Sequence, residues 1–279
     1  MIDTLVFSGG GINAFYFIGA LETLINKKKI NLEKIKHLLG CSVGSIIAFI
    51  LNLNYSIYFI KKLIINLDFL NLLEIEDDIS DFDKLLNKNG LFSIINIKKI
   101  LTQILYEKYK VKKITFKELY KKTKKNLVIK VYNYTLKKEQ HINYKTNPNY
   151  SVIDMICASS SIPFFFKMYK YNKYYYIDGG IKNNFPDYSN KLYKNNLVIC
   201  CKKNNNNNNK KNKNDLVTFI FDIIEIANYI NLKCSKNILV IPTNNSSNFI
   251  NFNIKKKYKL EMLNFSSNFT NKFINDYLS

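Results

Sequence analysis

Three short glycine motifs contain the residue types that cleavage of an acyl ester requires. They are Gly9-Gly10-Gly11, Gly40-Cys41-Ser42-Val43-Gly44 and Asp178-Gly179-Gly180. The first motif can offer backbone N–H groups to an oxyanion, the second a serine nucleophile, and the third a carboxylate that accepts the serine proton. No histidine accompanies them in the usual way. Together the motifs predict acyl-transfer chemistry in which a carboxylate is the base.

The second motif has the form Gly-x-Ser-x-Gly, which is typical of a nucleophile elbow. The apolar segment Ile35–Leu39 predicts a strand before it, and Val43–Leu53 predicts a helix after it. An elbow holds its serine on a strained and crowded turn, so Ser42 needs the small neighbours Gly40 and Gly44. The N-terminus of the following helix favours negative charge near the serine. We therefore expect Ser42 to be the nucleophile.

The first motif follows a short predicted strand and has two interpretations. In an acyl hydrolase, the N–H groups of Gly10 and Gly11, with that of Val43, would stabilise the oxyanion. In a dinucleotide-binding protein, Gly9, Gly11 and Ala14 would form the G-x-G-x-x-A fingerprint. The dinucleotide fold also requires an acidic residue at the end of the second strand, and this sequence has none there. The hydrolase interpretation is therefore favoured.

A serine hydroxyl needs a base, and Asp178 is the best-placed candidate. It directly follows the apolar segment Tyr174–Ile177, which predicts a strand. Gly179 and Gly180 leave space around its side chain. Taken alone, however, Asp-Gly-Gly is also an ordinary turn sequence.

The two histidines of the chain are weaker candidates. His37 lies at the start of the second predicted strand, several residues before the elbow, and we expect a structural role for it. His141 lies in a polar segment that we expect to be exposed. A triad of Ser42, an acid within Asp68–Asp83 and His141 has the right chain order, although nothing else marks those positions.

Repeated strand–glycine turn–helix units predict an α/β fold with a mostly parallel sheet. The chain contains no repeat, and we expect one domain over residues 1–279. The predicted helical parts are a mostly helical Tyr55–Tyr120 with an acidic loop at Asp77–Asp83, a helix capped by Ser151, a helix Leu216–Leu232 and an amphipathic stretch Tyr258–Phe273. The predicted strands are Leu127–Tyr134 paired with Gln140–Tyr144, a hairpin of Phe164–Tyr169 with Tyr174–Ile177, and Ile238–Ile241 ended by Pro242. A mobile Asn/Lys-rich loop is predicted at Lys202–Asn214.

The formal net charge of +21 suits an anionic partner such as a phospholipid surface. The chain has no arginine and no tryptophan, and its many Lys, Asn and Ile residues favour the codon bias of an AT-rich genome, as in large DNA viruses and protozoan parasites. Without the arginine fork, specific nucleic-acid recognition is not expected. A weak attraction to anionic membranes is expected whether the positive charge has a functional origin or comes from codon bias.

Five cysteines at irregular spacing fit reduced thiols better than a disulfide framework or a zinc site. We see no signal peptide, and no apolar run is long enough to span a bilayer. We therefore expect a cytoplasmic protein with peripheral membrane contact, in the host cytoplasm if a virus or parasite encodes it. No metal or other cofactor is expected, and the oligomeric state is open.

The three motifs in this order resemble those of the patatin-like phospholipases, over residues 3 to 188. Ala158–Phe166, Asn184-Phe185-Pro186 and Gly19–Leu21 are similar to further family segments. The resemblance implies a three-layer α/β/α fold and a Ser42–Asp178 dyad that cleaves fatty-acyl esters of phospholipids or related lipids through an acyl-enzyme.

Two departures from the family pattern stand near the catalytic motifs. Asn13 and Ala14 occupy the positions where family members usually have Arg or Lys followed by Gly. Cys41 replaces the commoner Thr, which we expect to be tolerated because the group is small. Loss of the cation at position 13 leaves open a second hypothesis, a catalytically degenerate relative that binds lipid without cleaving it.

Overall fold

The computed structural model describes residues 2–68, 74–75, 90–203, 232–243 and 254–278. The helices are α1 Ala14–Asn26, α2 Val43–Asn52, α3 Ile57–Asn66, α4 Ile95–Tyr109, α5 Phe116–Thr123, α6 Val152–Ser159 and α7 Lys256–Tyr277. The strands are β1 Thr4–Phe7, β2 His37–Cys41, β3 Glu74–Ile75, β4 Gly90–Ser93, β5 Asn126–Asn133, β6 Lys138–Ile142, β7 Phe164–Phe166, β8 Tyr169–Tyr171, β9 Tyr174–Ile177, β10 Asn196–Lys203 and β11 Ile238–Thr243.

The central sheet has the strand order β11-β10-β1-β2-β5-β9-β8, with β6 also paired to β5. Strands β11, β10, β1, β2 and β5 are mutually parallel, whereas β6, β8 and β9 run antiparallel to their neighbours. Helices flank this sheet. The predicted α/β fold with a mostly parallel sheet is therefore confirmed.

Successive side chains along each strand point to opposite faces of the sheet, and they form two separate buried clusters. Leu5 and Phe7 of β1 enter the large cluster under the helices, and Val6 between them enters a smaller one on the opposite face. Segment 185–193 contributes Phe185 and Tyr193 to that smaller cluster. A segment that carries few helical residues therefore covers part of this opposite face of the sheet.

The pairing of β5 aligns the ends of two strands. Along one edge, β2 pairs with β5 from Asn126 to Lys130, and β9 pairs with it at Tyr132 and Asn133. Strand β6 occupies the other edge. Because β2 is parallel and β9 antiparallel to β5, their carboxyl ends point toward each other along the shared edge. The residues that follow them, Ser42 and Asp178, therefore meet.

Several predicted elements differ in the structure. The hairpin is β8 with β9, whereas Phe164–Phe166 forms a separate strand that pairs with β4 in a small three-stranded sheet. Strands β3 and β4 interrupt the region predicted as mostly helical. Strand β11 continues through Pro242, which is tolerated because an edge strand can lose one N–H donor.

The segment predicted as a mobile loop begins inside a strand. Lys202 and Lys203 belong to β10 and pair with β11, which corrects the start of that loop. Residues 204–214, the predicted helix up to residue 231 and the acidic loop lie outside the described residues.

Helix α7 packs directly against α1. A Cβ at Gly19 would lie 2.5 Å from the Leu263 carbonyl oxygen, so glycine permits this close approach. The Ser266 hydroxyl donates to the Tyr16 carbonyl at 2.5 Å. No helix in the described ranges is both long and apolar enough to cross a bilayer.

Candidate active site

Ser42 occupies a strained turn between β2 and α2. Its φ of 51° and ψ of −127° lie in a region that non-glycine residues rarely adopt. Its N–H donates to Ser159 Oγ at 2.8 Å, and its carbonyl accepts from the Ser45 hydroxyl at 2.6 Å. The residue is only 5% exposed. This is the geometry of a nucleophile elbow, as the sequence predicts.

The glycines of the elbow are required by close packing. A Cβ at Gly44 would lie 2.4 Å from the Ser8 carbonyl oxygen, and one at Gly40 would lie 2.4 Å from the carbonyl oxygen of Gly44. Both distances are far below van der Waals contact. The end of β1 therefore presses on the first turn of α2, and larger residues would displace the serine.

Asp178 is held by its backbone and by one carboxylate oxygen. Its N–H donates to the Ser161 carbonyl at 2.8 Å, and Oδ1 accepts from the Gly180 N–H at 2.7 Å. Oδ2 is buried and accepts no hydrogen bond of good geometry from the described residues. The Ser42 hydroxyl nevertheless interacts with the carboxyl closely enough to lower its pKa.

Burial decides the protonation behaviour of Asp178. Removal from water raises the pKa of this carboxyl from 3.8 to about 6. Hydrogen bonding to Ser42 and to the Gly180 N–H opposes the rise, as does the positive charge of Lys130. The carboxylate is therefore a stronger base than an exposed aspartate while still being ionised at neutral pH.

The first glycine motif is tied to the segment that follows Asp178. Gly9 N–H donates to the Asn184 carbonyl at 3.0 Å, and Asn184 Nδ2 donates to the Gly9 carbonyl at 3.3 Å. A Cβ at Gly9 would lie 3.4 Å from Ser42 Cβ and only 2.3 Å from Asn184 Oδ1. The motif is thus packed against the nucleophile.

Three backbone donors near Ser42 have no acceptor within the described ranges. They are the N–H groups of Gly10, Gly11 and Val43, the last two of which begin helical segments and therefore lack an intrahelical acceptor. All three residues are partly exposed, although Ser42 itself is buried. Unpaired donors beside a nucleophile are what an oxyanion hole requires.

Asn13 lies beside this loop. A Cβ at Gly10 would be 3.2 Å from Asn13 Cβ, and the Asn13 Oδ1 is buried without a hydrogen-bond partner in the described structure. The position therefore offers an amide where a cation was expected from the family pattern.

Neither histidine serves Ser42. His37 begins β2, at the end remote from the elbow, where its ring packs edge-on against Tyr193 with 5.2 Å between centroids. His141 is part-buried on β6, which corrects the expectation that it is exposed, and its Nε2 accepts from the Asp187 N–H at 2.9 Å. Burial lowers the pKa of both rings.

Three supporting residues escaped the sequence prediction of the site. Ser159 accepts from Ser42 N–H and donates to the Lys130 carbonyl at 2.6 Å. Lys130 is 1% exposed and borders the Asp178 segment. Asn184 joins the two glycine loops. Ser159 and Asn184 lie in segments that the family resemblance marks, but the only signal for Lys130 is a charge within an apolar strand.

A family model described as patatin-like phospholipase matches residues 5–186, about two thirds of the chain. The chain belongs to the patatin-like phospholipase family. Within that match lie the elbow, the glycine loop and Asp178, so the family assignment and the geometry concern the same residues.

Two viral proteins are similar in sequence. A probable lipid hydrolase of Invertebrate iridescent virus 6 is 40% identical over 183 residues, which are 66% of this chain and 61% of the viral protein. An uncharacterized protein of Acanthamoeba polyphaga mimivirus is 30% identical over 185 residues, which are 66% of this chain and 60% of that protein. The matched part spans about three fifths of the length of these relatives.

Solved bacterial structures share the fold. VipD from Legionella pneumophila has a TM-score of 0.69 at 17% identity, over 99% of this chain and 67% of VipD. The ExoU–SpcU complex of the Pseudomonas aeruginosa type III secretion system gives a TM-score of 0.59 at 17% identity, over 99% of this chain and 52% of the matched chain. At these identities the likeness concerns the fold alone.

Proposed function

We propose that this chain is a serine lipolytic acyl hydrolase that cleaves fatty-acyl esters of phospholipids or related lipids with a Ser42–Asp178 dyad. The observation that carries the proposal is the interaction of a strained, buried serine with a buried carboxyl group, whose pKa the serine hydroxyl lowers. The unpaired donors of Gly10, Gly11 and Val43 support it. The viral relative described as a probable lipid hydrolase supports the substrate class.

The proposed reaction has two stages, acylation of Ser42 and hydrolysis of the acyl-enzyme, and Asp178 accepts and returns a proton in each. Asp178 accepts the Ser42 proton as Oγ attacks the ester carbonyl carbon, and the Gly10, Gly11 and Val43 N–H groups stabilise the oxyanion. Collapse of the tetrahedral intermediate breaks the ester bond, and the leaving alcohol takes the proton from Asp178. Water then attacks the acyl-enzyme, gives a proton to Asp178, and releases the fatty acid as Ser42 recovers its hydrogen.

The electrostatics suit a reaction at a lipid surface in the cytoplasm. The charge of +21 favours approach to anionic phospholipid. All five cysteines are free thiols, which fits a reducing compartment. The described residues contain no cluster of His, Cys, Asp and Glu side chains that could hold a metal ion. The proposed chemistry is assigned entirely to side chains and backbone groups.

The test is fatty-acid release from mixed phospholipid vesicles in the presence of a chelator. Wild type, Ser42→Ala and Asp178→Asn are compared after circular dichroism has verified their folding. Release by wild type alone supports the dyad. Retained activity in folded Asp178→Asn would contradict it.

Asn13 supports a second candidate, a relative that binds lipid without cleaving it. Its buried Oδ1 has no described partner beside the glycine loop. Vesicle binding by wild type without any release would support this candidate, and gain of release in Asn13→Arg would locate the defect.

A further inference from the structure

The least expected group near the site is a buried ammonium. Lys130 is 1% exposed in β5, whose other residues are mostly apolar. Its Nζ donates to the Asn183 carbonyl at 2.5 Å and lies 2.7 Å from Glu139 Oε1. A buried charge is costly unless it is paired and hydrogen-bonded, as the Lys130 ammonium is here.

The backbone of Lys130 contacts both halves of the site. It pairs with Cys41, the residue before the nucleophile, in the sheet register. Its carbonyl accepts from Ser159, which in turn accepts from Ser42 N–H. A Cβ at Gly179 would lie 2.3 Å from the same carbonyl oxygen, so the turn after Asp178 packs directly on it.

The Lys130 side chain contacts a second part of the segment after Asp178, in addition to the turn that packs on the Lys130 carbonyl. Lys130 lies two residues after Val128, which faces the small cluster covered by segment 185–193. From there its Nζ holds the Asn183 carbonyl, and the next residue, Asn184, binds Gly9. One side chain therefore anchors the segment that joins the base to the glycine loop.

We propose that Lys130 is a positioning residue, whose ammonium group fixes the Asp178 segment and gives electrostatic support to the Asp178 carboxylate. This inference rests on the proposed function and adds a residue to its machinery. The charged and titratable groups that face Lys130 come from three elements. They are Cys41 of β2, Glu139 and His141 of β6, and Asp178 and Asp187 of the segment that follows β9.

These neighbours predict the direction of the effect. Lys130 lowers the pKa of the Asp178 carboxyl against the larger rise that burial causes. Glu139 partly compensates the ammonium charge, and its side chain is 27% exposed to water. Asp178 is only 7% exposed, so water screens the loss of the Lys130 charge less there than at Glu139.

The test compares Lys130→Met with the double variant Lys130→Met/Glu139→Gln. The double variant removes the whole ion pair, which buried sites tolerate better than the loss of one partner. Lys259→Met is the matched control, because Lys259 is also buried, and its Nζ donates to the Ile65 and Leu67 carbonyls away from the dyad.

The first readout is a carbon-13 NMR titration of the Asp178 carboxyl, assigned with Asp178→Asn, and the second is the pH profile of fatty-acid release. We expect the wild-type midpoint near pH 6 to rise by about one pH unit in Lys130→Met, to rise by less in the double variant, which also loses the compensating charge of Glu139, and to remain unchanged in Lys259→Met. Equal midpoints in wild type and both folded Lys130 variants would overturn the proposal, since a purely structural role would not move the midpoint.

The two readouts separate this inference from the proposed function. If wild type released no fatty acid, the hydrolase proposal would fail while the NMR titration still decided the role of Lys130. Hydrogen exchange of residues 178–187 tests the positioning. Faster exchange in the Lys130 variants than in Lys259→Met is expected, and equal exchange would contradict it.

Discussion

Gly9 and Asn184 hold each other by two reciprocal hydrogen bonds, from Gly9 N–H to the Asn184 carbonyl at 3.0 Å and from Asn184 Nδ2 to the Gly9 carbonyl at 3.3 Å. The glycine loop and the base-bearing segment are thereby one unit, although the two residues are far apart in the sequence. The position of the loop N–H groups relative to Ser42 depends on this unit.

Asn184→Ala should reduce turnover more than stability. The lost side-chain bond costs about 1 kcal/mol, whereas displacement of the glycine loop should lower kcat by roughly 10- to 100-fold. Asn190→Ala is the control, because Asn190 Oδ1 accepts an exposed turn N–H, that of Leu192 at 2.9 Å, and among the described residues no other donor. Equal kcat in the two variants would show that the Asn184 bond does not position the loop.

Ser159→Ala should impair both folding and catalysis. It leaves the Ser42 N–H and the Lys130 carbonyl without their partner, and each buried orphan costs about 1–3 kcal/mol. Ser266→Ala removes a fully buried hydroxyl with one backbone acceptor, remote from the dyad. Urea unfolding and vesicle assays should show a larger stability loss for Ser159→Ala, and reduced kcat in that variant alone.

The pH profile of kcat/KM should fall on the acid side with a midpoint near pH 6. Asp178 accepts a proton only as the carboxylate, and burial has raised its pKa to about 6, so activity is full above that pH and lost below it. An acid limb near pH 4 would mean that the carboxyl is solvated in the working enzyme.

Asp178→Asn should make the protein more stable at alkaline pH. A carboxyl whose pKa rises from 3.8 to about 6 on folding binds its proton more tightly in the folded state, so ionisation costs up to about 3 kcal/mol of unfolding free energy above pH 7. That cost develops as the pH rises from about 4 to 6. Denaturant unfolding at pH 8 and pH 4.5 should show a larger gain for the variant at pH 8; equal gains would refute this linkage.

Gly19→Ala should loosen the contact between α1 and α7. The new methyl group would lie 2.5 Å from the Leu263 carbonyl oxygen, so we expect a loss of about 1–3 kcal/mol. Ser267→Ala, which removes only a hydroxyl 2.8 Å from Thr23 Oγ1, should cost less. Thermal unfolding measures both, and equal shifts in Tm would argue against close packing at Gly19.

The elbow could be predicted because its constraints are local. Strand, Gly-x-Ser-x-Gly and helix occur within residues 35–53, and steric limits at Gly40 and Gly44 leave few alternatives. The proximity of Asp178 to Ser42 could be expected only from the family resemblance. The physical reason is the shared edge of β5, a long-range pairing that no local pattern reveals.

The incorrect predictions concern tertiary contacts that override local pattern. Phe164–Phe166 pairs with β4 and not with β9 as predicted, and Pro242 is accepted within an edge strand. Lys130 could not be assigned from sequence, since a lysine in an apolar strand only acquires meaning when Glu139 and Asn183 surround its Nζ.

The end-to-end arrangement of β2 and β9 has a consequence during biosynthesis. The ribosome synthesises Ser42 more than a hundred residues before Asp178, and β5, the strand along which both are aligned, lies between them in the chain. A nascent chain that ends before Asp178 can complete the elbow and still lack a proton acceptor. On the proposed mechanism, the chain cannot cleave an ester until its translation has passed that point.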